Sequence, residues 1–282
     1  MAKLTTQDHR RDSAGLTYVY AVVSRRAGGV SVGVNLNPNQ ACNWRCAYCQ
    51  VPGLIRGKGP AIDLELLRSE LDQLLSEIVS GDFMAERVPE GMRRLNDVAF
   101  SGNGEPTSSP DFGAAVEVVR EALEAQGLLG QVKLVLISNG SLIDQPRVFA
   151  ALEPFAAAGG EVWFKLDSAT KAGFREVNDT AIDPRDHLAR LRRCAELCPT
   201  WIQTCAFARD GLPPSEVERA AYLEALAELA RDEVPLRGVL LYGLARESHQ
   251  PEAPRLSALP GEWLQALGEE IRALGFEVKV SL

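Results

Sequence analysis

The sequence predicts an α/β fold, a partial (β/α)6 barrel with an N-terminal β-hairpin extension. Three observations predict it. Short apolar runs rich in β-branched residues alternate with longer segments carrying apolar residues at helical spacing. Strict alternation of this kind builds parallel strands joined by crossover helices. Counted from residue 30 it gives six β-then-α units, too few for the usual closed barrel of eight.

In chain order, segments 18–23 (YVYAVV) and 30–36 (VSVGVNL) read as the two strands of the hairpin, joined by the turn-like SRRAGG. Residues 63–79 place Leu64, Leu67, Leu71, Leu74, Leu75 and Ile78 on one helical face. A polar stretch over 81–94 then interrupts, and strand 95–100 follows. Helix 112–126 precedes strand 132–138, and helix 146–157 precedes strand 162–167. Helix 184–197 precedes strand 201–208, and helix 215–231 precedes strand 238–244. A last helix, 261–274, leads into a short strand over 276–280. The Pro-containing stretch 247–260 is expected to form a long loop on the active face. No Gly/Ser-rich linker divides the chain, so residues 17–282 are expected to form one domain behind a mobile tail, 1–16.

The 282 residues are 46% hydrophobic and 24% charged, which excludes intrinsic disorder. Thirty basic against 38 acidic residues leave a net charge of −8, which argues against a general electrostatic nucleic-acid binder. No apolar run approaches the roughly 18 residues of a membrane span. The opening residues lack the apolar stretch of a secretory signal, so a cytoplasmic location is expected. In a reducing compartment six cysteines are poor candidates for structural disulfides, and some should have chemistry to do.

Three of them, Cys42, Cys46 and Cys49, follow strand 30–36 in the spacing C-x3-C-x2-C, within a loop that Asn37, Pro38 and Asn39 begin. Three thiolates within eight residues converge on one centre only if the loop wraps around it. Core packing would not crowd cysteines into a polar turn. A structural zinc site usually takes four ligands, and no fourth Cys or His is near. A redox pair of Cys46 and Cys49 leaves Cys42 without a role. An iron–sulfur cluster with one iron left open uses all three, since a cubane bound by protein alone takes four.

With an aromatic residue, Tyr48, just before the last cysteine, this motif resembles the signature of the radical S-adenosylmethionine (radical SAM) superfamily. The resemblance implies a partial barrel of the radical SAM type and a [4Fe–4S] cluster held by Cys42, Cys46 and Cys49. It also implies that the amino and carboxylate groups of SAM chelate the fourth iron. The reduced cluster then cleaves SAM to a 5′-deoxyadenosyl radical, which abstracts hydrogen from substrate. The run from Phe100 to Thr107 (FSGNGEPT) is by itself a Gly/Asn turn, but it resembles the family's G-G-E-P element, with Asn103 in place of the first glycine of the pair. Ile137-Ser138-Asn139-Gly140 resembles the family's Thr-Asn-Gly strand end. The implied SAM contacts are Tyr48, Gly104, Glu105, Ser138, Asn139 and Tyr242. Asp167, at the end of strand 162–167, is either a cap or turn former or a catalytic group facing substrate. The cysteine loop, Gly104, Glu105, Asn139, Asp167, Gln203 and Arg246 are all expected at or just past carboxyl strand ends, the edge that carries catalysis in β/α barrels.

The other cysteines, Cys194, Cys198 and Cys205, read as core packing, with an auxiliary cluster as the alternative. Arg25, Arg26, Arg56, Lys58, Arg192 and Arg193 read as solvated surface, or as a phosphate-binding group if they gather at the barrel mouth. His249 reads as a loop histidine in preference to a catalytic base, and neither His187 nor His9 supports a metal site.

The layout is most similar to the wyosine-synthase-like branch of the superfamily. A wyosine synthase would carry further cluster cysteines upstream, and none precedes Cys42 here. With the acidic charge, that argues against a tRNA wyosine reaction. A glycyl-radical activase and a peptide-modifying enzyme are the other enzymatic readings. A non-catalytic electron-transfer or redox-sensing iron–sulfur protein is the competing class, but it leaves Gly104, Glu105 and Asn139 without a role. The expected partners are a reductant such as a flavodoxin or ferredoxin, and a small-molecule, peptide or RNA substrate.

Overall fold

A computed structural model describes residues 3–5, 15–24 and 28–282, and its internal contacts divide the chain into two compact units. His9, Arg25, Arg26 and most of the expected tail lie outside the described residues. The first unit runs over the described residues up to Asn43, then Gly57–Ile137 and Gln145–Glu161. The second comprises Trp44–Arg56, Ser138–Asp144 and Val162–Leu282.

The strands of the first unit are β1 (Val19–Ser24), β2 (Gly29–Val34), β3 (Leu95–Phe100) and β4 (Lys133–Ser138), ordered β1-β2-β3-β4. β1 pairs antiparallel with β2, as the hairpin reading expects, and β2–β3 and β3–β4 are parallel. Helices α1 (Leu64–Ser80), α2 (Phe83–Arg87), α3 (Phe112–Ala125) and α4 (Pro146–Ala157) complete the unit, with α1 packed on α3 and α3 on α4. α1 starts where Asp63 accepts the Leu66 N–H at 3.0 Å, a side-chain cap for one of the unpaired first-turn donors. Its buried face holds Leu67, Leu71, Leu74, Leu75 and Ile78 as periodicity predicts, but also Glu70, while Leu64 is only half-buried. The Glu70 carboxylate accepts the backbone N–H groups of Thr17 (2.6 Å), Tyr18 (2.7 Å) and Val19 (3.2 Å), tying the start of β1 to the helix. The polar stretch over 81–94 is not wholly irregular, since it contains α2, whose Phe83 is buried. Phe100 meets Phe112 and Phe155 edge-on at 5.8 and 6.3 Å, the centre of this unit's core.

The second unit carries β5 (Gly160–Lys165), β6 (Thr200–Ala206), β7 (Leu236–Gly243) and β8 (Val278–Ser281), ordered β5-β6-β7-β8, with every pairing parallel. Its helices are α5 (Lys171–Asn178), α6 (Pro184–Leu197), α7 (Glu216–Arg231) and α8 (Gly261–Ala273). α6 begins with Asp183 as cap and Pro184 at its first position, and α7 with Ser215 accepting the Glu218 N–H. α5 was not expected from sequence. It is followed by Asp179, whose left-handed backbone (φ 49°) turns the chain. The expected long loop over 247–260 is partly ordered, because Leu256–Ser257 pairs antiparallel with Ala208–Arg209. No helix among the described residues is long and apolar enough to cross a membrane.

Candidate active site

In the first unit, the Asn-Gly-Glu-Pro turn lies against the segment that leads to Cys42. Asn35 Oδ1 accepts the N–H groups of Asn37 (3.1 Å) and Asn103 (3.0 Å), and Asn37 Nδ2 donates to the carbonyl of Ala41 at 2.9 Å. Gly104 sits so close that a Cβ there would fall 2.1 Å from that carbonyl oxygen and 2.8 Å from Asn37 Cγ. Only glycine permits this approach. Glu105 is buried, and its Oε1 accepts from the Thr107 amide (3.2 Å) and hydroxyl (2.6 Å). Cys42 is half-buried, and its carbonyl accepts the Gly57 N–H at 3.0 Å.

The second unit holds residues 44–49 between two straps. From α5, the carbonyls of Asn178 and Val177 accept the N–H groups of Arg45 (3.2 Å) and Ala47 (2.7 Å). From the segment after β7, Ser248 Oγ donates to the Ala47 carbonyl (2.7 Å), the His249 N–H to the Cys49 carbonyl (2.9 Å), and Gln250 Nε2 to the Val51 carbonyl (3.0 Å). Trp44 and Ala47 are buried, while Cys46 and Cys49 are left half-buried. The Arg45 guanidinium pairs with Asp179 (3.0 Å) and Glu252 (3.1 Å), and Arg56 with Asp179 (2.7 Å). Burial alone would raise the Asp179 carboxyl, but its bonds to Arg56 and Arg45 hold it below the usual carboxylate range.

Beside this loop lies a buried polar network. The Asp167 side chain is 0% exposed, and four donors take up its two oxygens. Oδ1 receives the Lys165 ammonium at 3.0 Å and the Cys205 N–H at 2.9 Å. Oδ2 receives the Tyr48 hydroxyl at 2.6 Å and Asn178 Nδ2 at 2.8 Å. Lys165 Nζ also donates to the Tyr242 hydroxyl (2.7 Å) and lies 5.0 and 4.8 Å from the ring centroids of Tyr48 and Tyr242. Burial would lower the Lys165 ammonium, but the Asp167 carboxylate outweighs it and keeps the group firmly charged. Burial, then Asp167, push the Tyr48 phenol well above its ordinary range, so it remains a donor. Asn178 Nδ2 makes one further contact, 3.3 Å from Cys46 Sγ.

The structure thus brings Cys46, Tyr48, Asp167 and Tyr242 into one cluster in this unit. Ser138 and Asn139 shape their own turn, accepting the N–H groups of Gly140 and Ser141 at 3.0 Å each. One expectation changes. Gln203 lies in the middle of β6 and is buried, not at a strand end. The two oxygens of Asp167 are taken up by the four donors, and Asp167 is also among the residues that line a cleft of 270 Å³. Cys194, Cys198 and Cys205 are buried, and burial pushes the Cys194 thiol up to about 11. Arg192 pairs with Glu228 and Asp232 at the surface. Sequence reasoning passed over Lys165, Asn178, Ser248 and Gln250. None of the four leaves a periodic signal, and a lysine after the apolar run 162–164 does not by itself announce a buried ion pair.

Two clefts open in the second unit. One of 490 Å³ is walled by Arg45, Arg175, Asp179, Arg209, Glu252 and Arg255, and the other, of 270 Å³, is lined chiefly by apolar groups including Val177, Phe207, Tyr222 and Trp263.

Residues 36–222 match the family model of the Radical SAM superfamily. A protein of Helicobacter pylori designated "UPF0026 protein" is 27% identical over 168 residues, or 58% of this chain and 46% of that protein. The chain therefore spans under half the length of that relative. Among solved structures, a radical SAM methyltransferase from Sphaerobacter thermophilus aligns with a TM-score of 0.61 at 15% identity, covering 93% of this chain and 68% of that one. TYW1 with a lysine–pyruvate adduct bound aligns with a TM-score of 0.57 at 16% identity, covering 89% and 74%. Both share the partial-barrel α/β fold.

Proposed function

The chain belongs to the radical SAM superfamily, and from that premise we propose that it cleaves S-adenosylmethionine reductively and draws a hydrogen atom from a bound substrate. The superfamily is one of enzymes, and its cofactors are a [4Fe–4S] cluster and SAM. The observation that carries the reading is the strapped cysteine loop. Its backbone is held from two sides, and its thiols are kept out of the core.

The residues fit these groups. Cys42, Cys46 and Cys49 supply three soft thiolate donors, which leave one iron of a cubane open. The buried Asn178 Oδ1 has no partner, leaving an acceptor beside Cys46 that a polar ligand can satisfy.

When bound, the cluster and SAM supply the one-electron cleavage that yields the 5′-deoxyadenosyl radical. The chain's own residues bind and orient. Gly104 brings the turn against the Ala41 carbonyl, and the neighbouring Glu105 would supply a carboxylate for the methionine ammonium. Ser138, Asn139, Tyr48 and Tyr242 are the further residues that would hold SAM, the first two through polar groups and the tyrosines through their rings. Asp167 fixes the side chains of Tyr48 and Asn178 beside the cysteine loop. A flavodoxin or ferredoxin is the proposed reductant.

Anaerobic reconstitution followed by SAM and dithionite tests the reading. The expected result is about four irons per chain and release of 5′-deoxyadenosine. Cys46→Ala should abolish cluster assembly, and Cys198→Ala, in the buried set, should leave it nearly intact. A full cluster that never cleaves SAM would sink the reading, and equal iron loss in both variants would show that the cysteines are wrongly divided.

A further inference from the structure

We propose that Asn178 is a positioning residue that raises the reduction potential of the cluster through Cys46, an inference resting on the reading of Cys46 as a cluster ligand. Asn178 ends α5 and is fully buried. Its Nδ2 lies 2.8 Å from Asp167 Oδ2 and 3.3 Å from Cys46 Sγ. A carboxylate and a thiolate can only accept, so the two N–H bonds of the amide are both committed. The flipped amide would set its oxygen against two anions, which fixes the orientation.

The donor end of the amide is fixed by its surroundings. Its Asp167 partner is locked by Lys165, Tyr48 and the Cys205 N–H, and the backbone carbonyl of Asn178 accepts the Arg45 N–H of the cysteine loop. The N–H therefore points at sulfur before any cluster binds. A fixed N–H dipole in a low-dielectric site stabilises negative charge on the sulfur. The reduced cluster carries one more electron than the oxidised one, so the donor favours the reduced form. The nearby cations do not take this role. Arg45 is spent on Asp179 and Glu252, and Lys165 on Asp167 and Tyr242. Loss of the donor should leave assembly intact, since the thiolates remain, and make the cluster harder to reduce.

The test compares reconstituted parent with Asn178→Leu, poised at fixed potentials, with the reduced fraction read by electron paramagnetic resonance. Asn178→Leu should load iron as the parent does. Its ratio of reduced to oxidised cluster should fall about tenfold, a shift of about 59 mV for a one-electron couple. Asn178→Asp keeps the shape, lacks both N–H donors, and should move the same way. Glu252→Gln breaks an ion pair on the same loop without touching sulfur, and should leave the ratio unchanged. An unchanged ratio in Asn178→Leu at full iron content overturns the proposal. So does loss of iron from both Asn178 variants with circular dichroism intact, which would make the residue a scaffold for the loop. Full iron retention by Cys46→Ala would place the error one step earlier, in the ligand assignment, and the proposal would fall with it.

Discussion

At the scale of single residues, the second unit is organised around one carboxylate. Asp167 could be read from sequence because an acid at a strand end is conspicuous, but its cation could not. Lys165 precedes it by two positions at the end of β5, after the apolar run 162–164, and burial patterns carry no expectation for a lysine there. The pair also makes a quantitative prediction. Its side chains are 10% and 0% exposed, so removing one partner strands a charge in the interior. Lys165→Met should destabilise the protein by about 3–5 kcal/mol. Asp167→Asn should also destabilise it, by stranding the ammonium. The double variant should lose less than the two single losses together, with a coupling of at least about 1 kcal/mol. Urea unfolding of the four proteins reads the coupling directly. Strict additivity would mean that the ammonium and carboxylate do not act on each other.

At the scale of elements, strands and helices with a long apolar stripe were legible. α4 and α6 begin and end where periodicity and their first-position prolines put them. α5 was not, since it has eight residues and buries only Gly173, Phe174 and Asn178, too little for a periodic signal. The polar strap after β7 was also illegible. Its contacts run from side chains to main-chain carbonyls some two hundred positions away, which leave no pattern in composition. Yet this strap is what the cysteine loop leans on. Ser248→Ala combined with Gln250→Ala removes the side-chain donors to the carbonyls of Ala47, Cys49 and Val51 and leaves only the His249 N–H. Each lost bond is worth about 0.5–1.5 kcal/mol, enough to open the loop more often without unfolding the unit. The reconstituted double variant should surrender its iron to a chelator several times faster than the parent, at an unchanged melting profile for the bulk of the chain. Equal rates would show that the strap does not govern the loop.

At the scale of the molecule, the fold class and the family were both open to sequence reading, because β/α alternation and the C-x3-C-x2-C spacing are local patterns. How stability depends on pH was not, because it hinges on how deeply one ring is buried. His187 lies on α6 among Trp44, Phe164 and Phe174, at centroid distances of 5.5, 4.8 and 5.2 Å. Its Nε2 is 2.9 Å from the Lys165 carbonyl, which can only accept, so Nε2 carries the proton. Burial pushes the imidazole down to about 4, against the opposing pull of that carbonyl. In the unfolded chain it titrates near about 6.5. Between those values the unfolded chain binds a proton that the folded one refuses, so acid favours unfolding. The contribution is fully present above about pH 6.5, is lost as the pH falls toward 4, and amounts to about 3 kcal/mol. His187→Gln keeps an N–H donor and removes the titration. Carboxylates titrate in both proteins, so the informative quantity is the difference between parent and variant in unfolding free energy, measured at intervals from pH 7 to 4. That difference should move steadily in the variant's favour as acid is added. A difference that stays level across the window would mean that the folded protein accepts the proton as readily as the unfolded chain, and that the ring is not sealed from water.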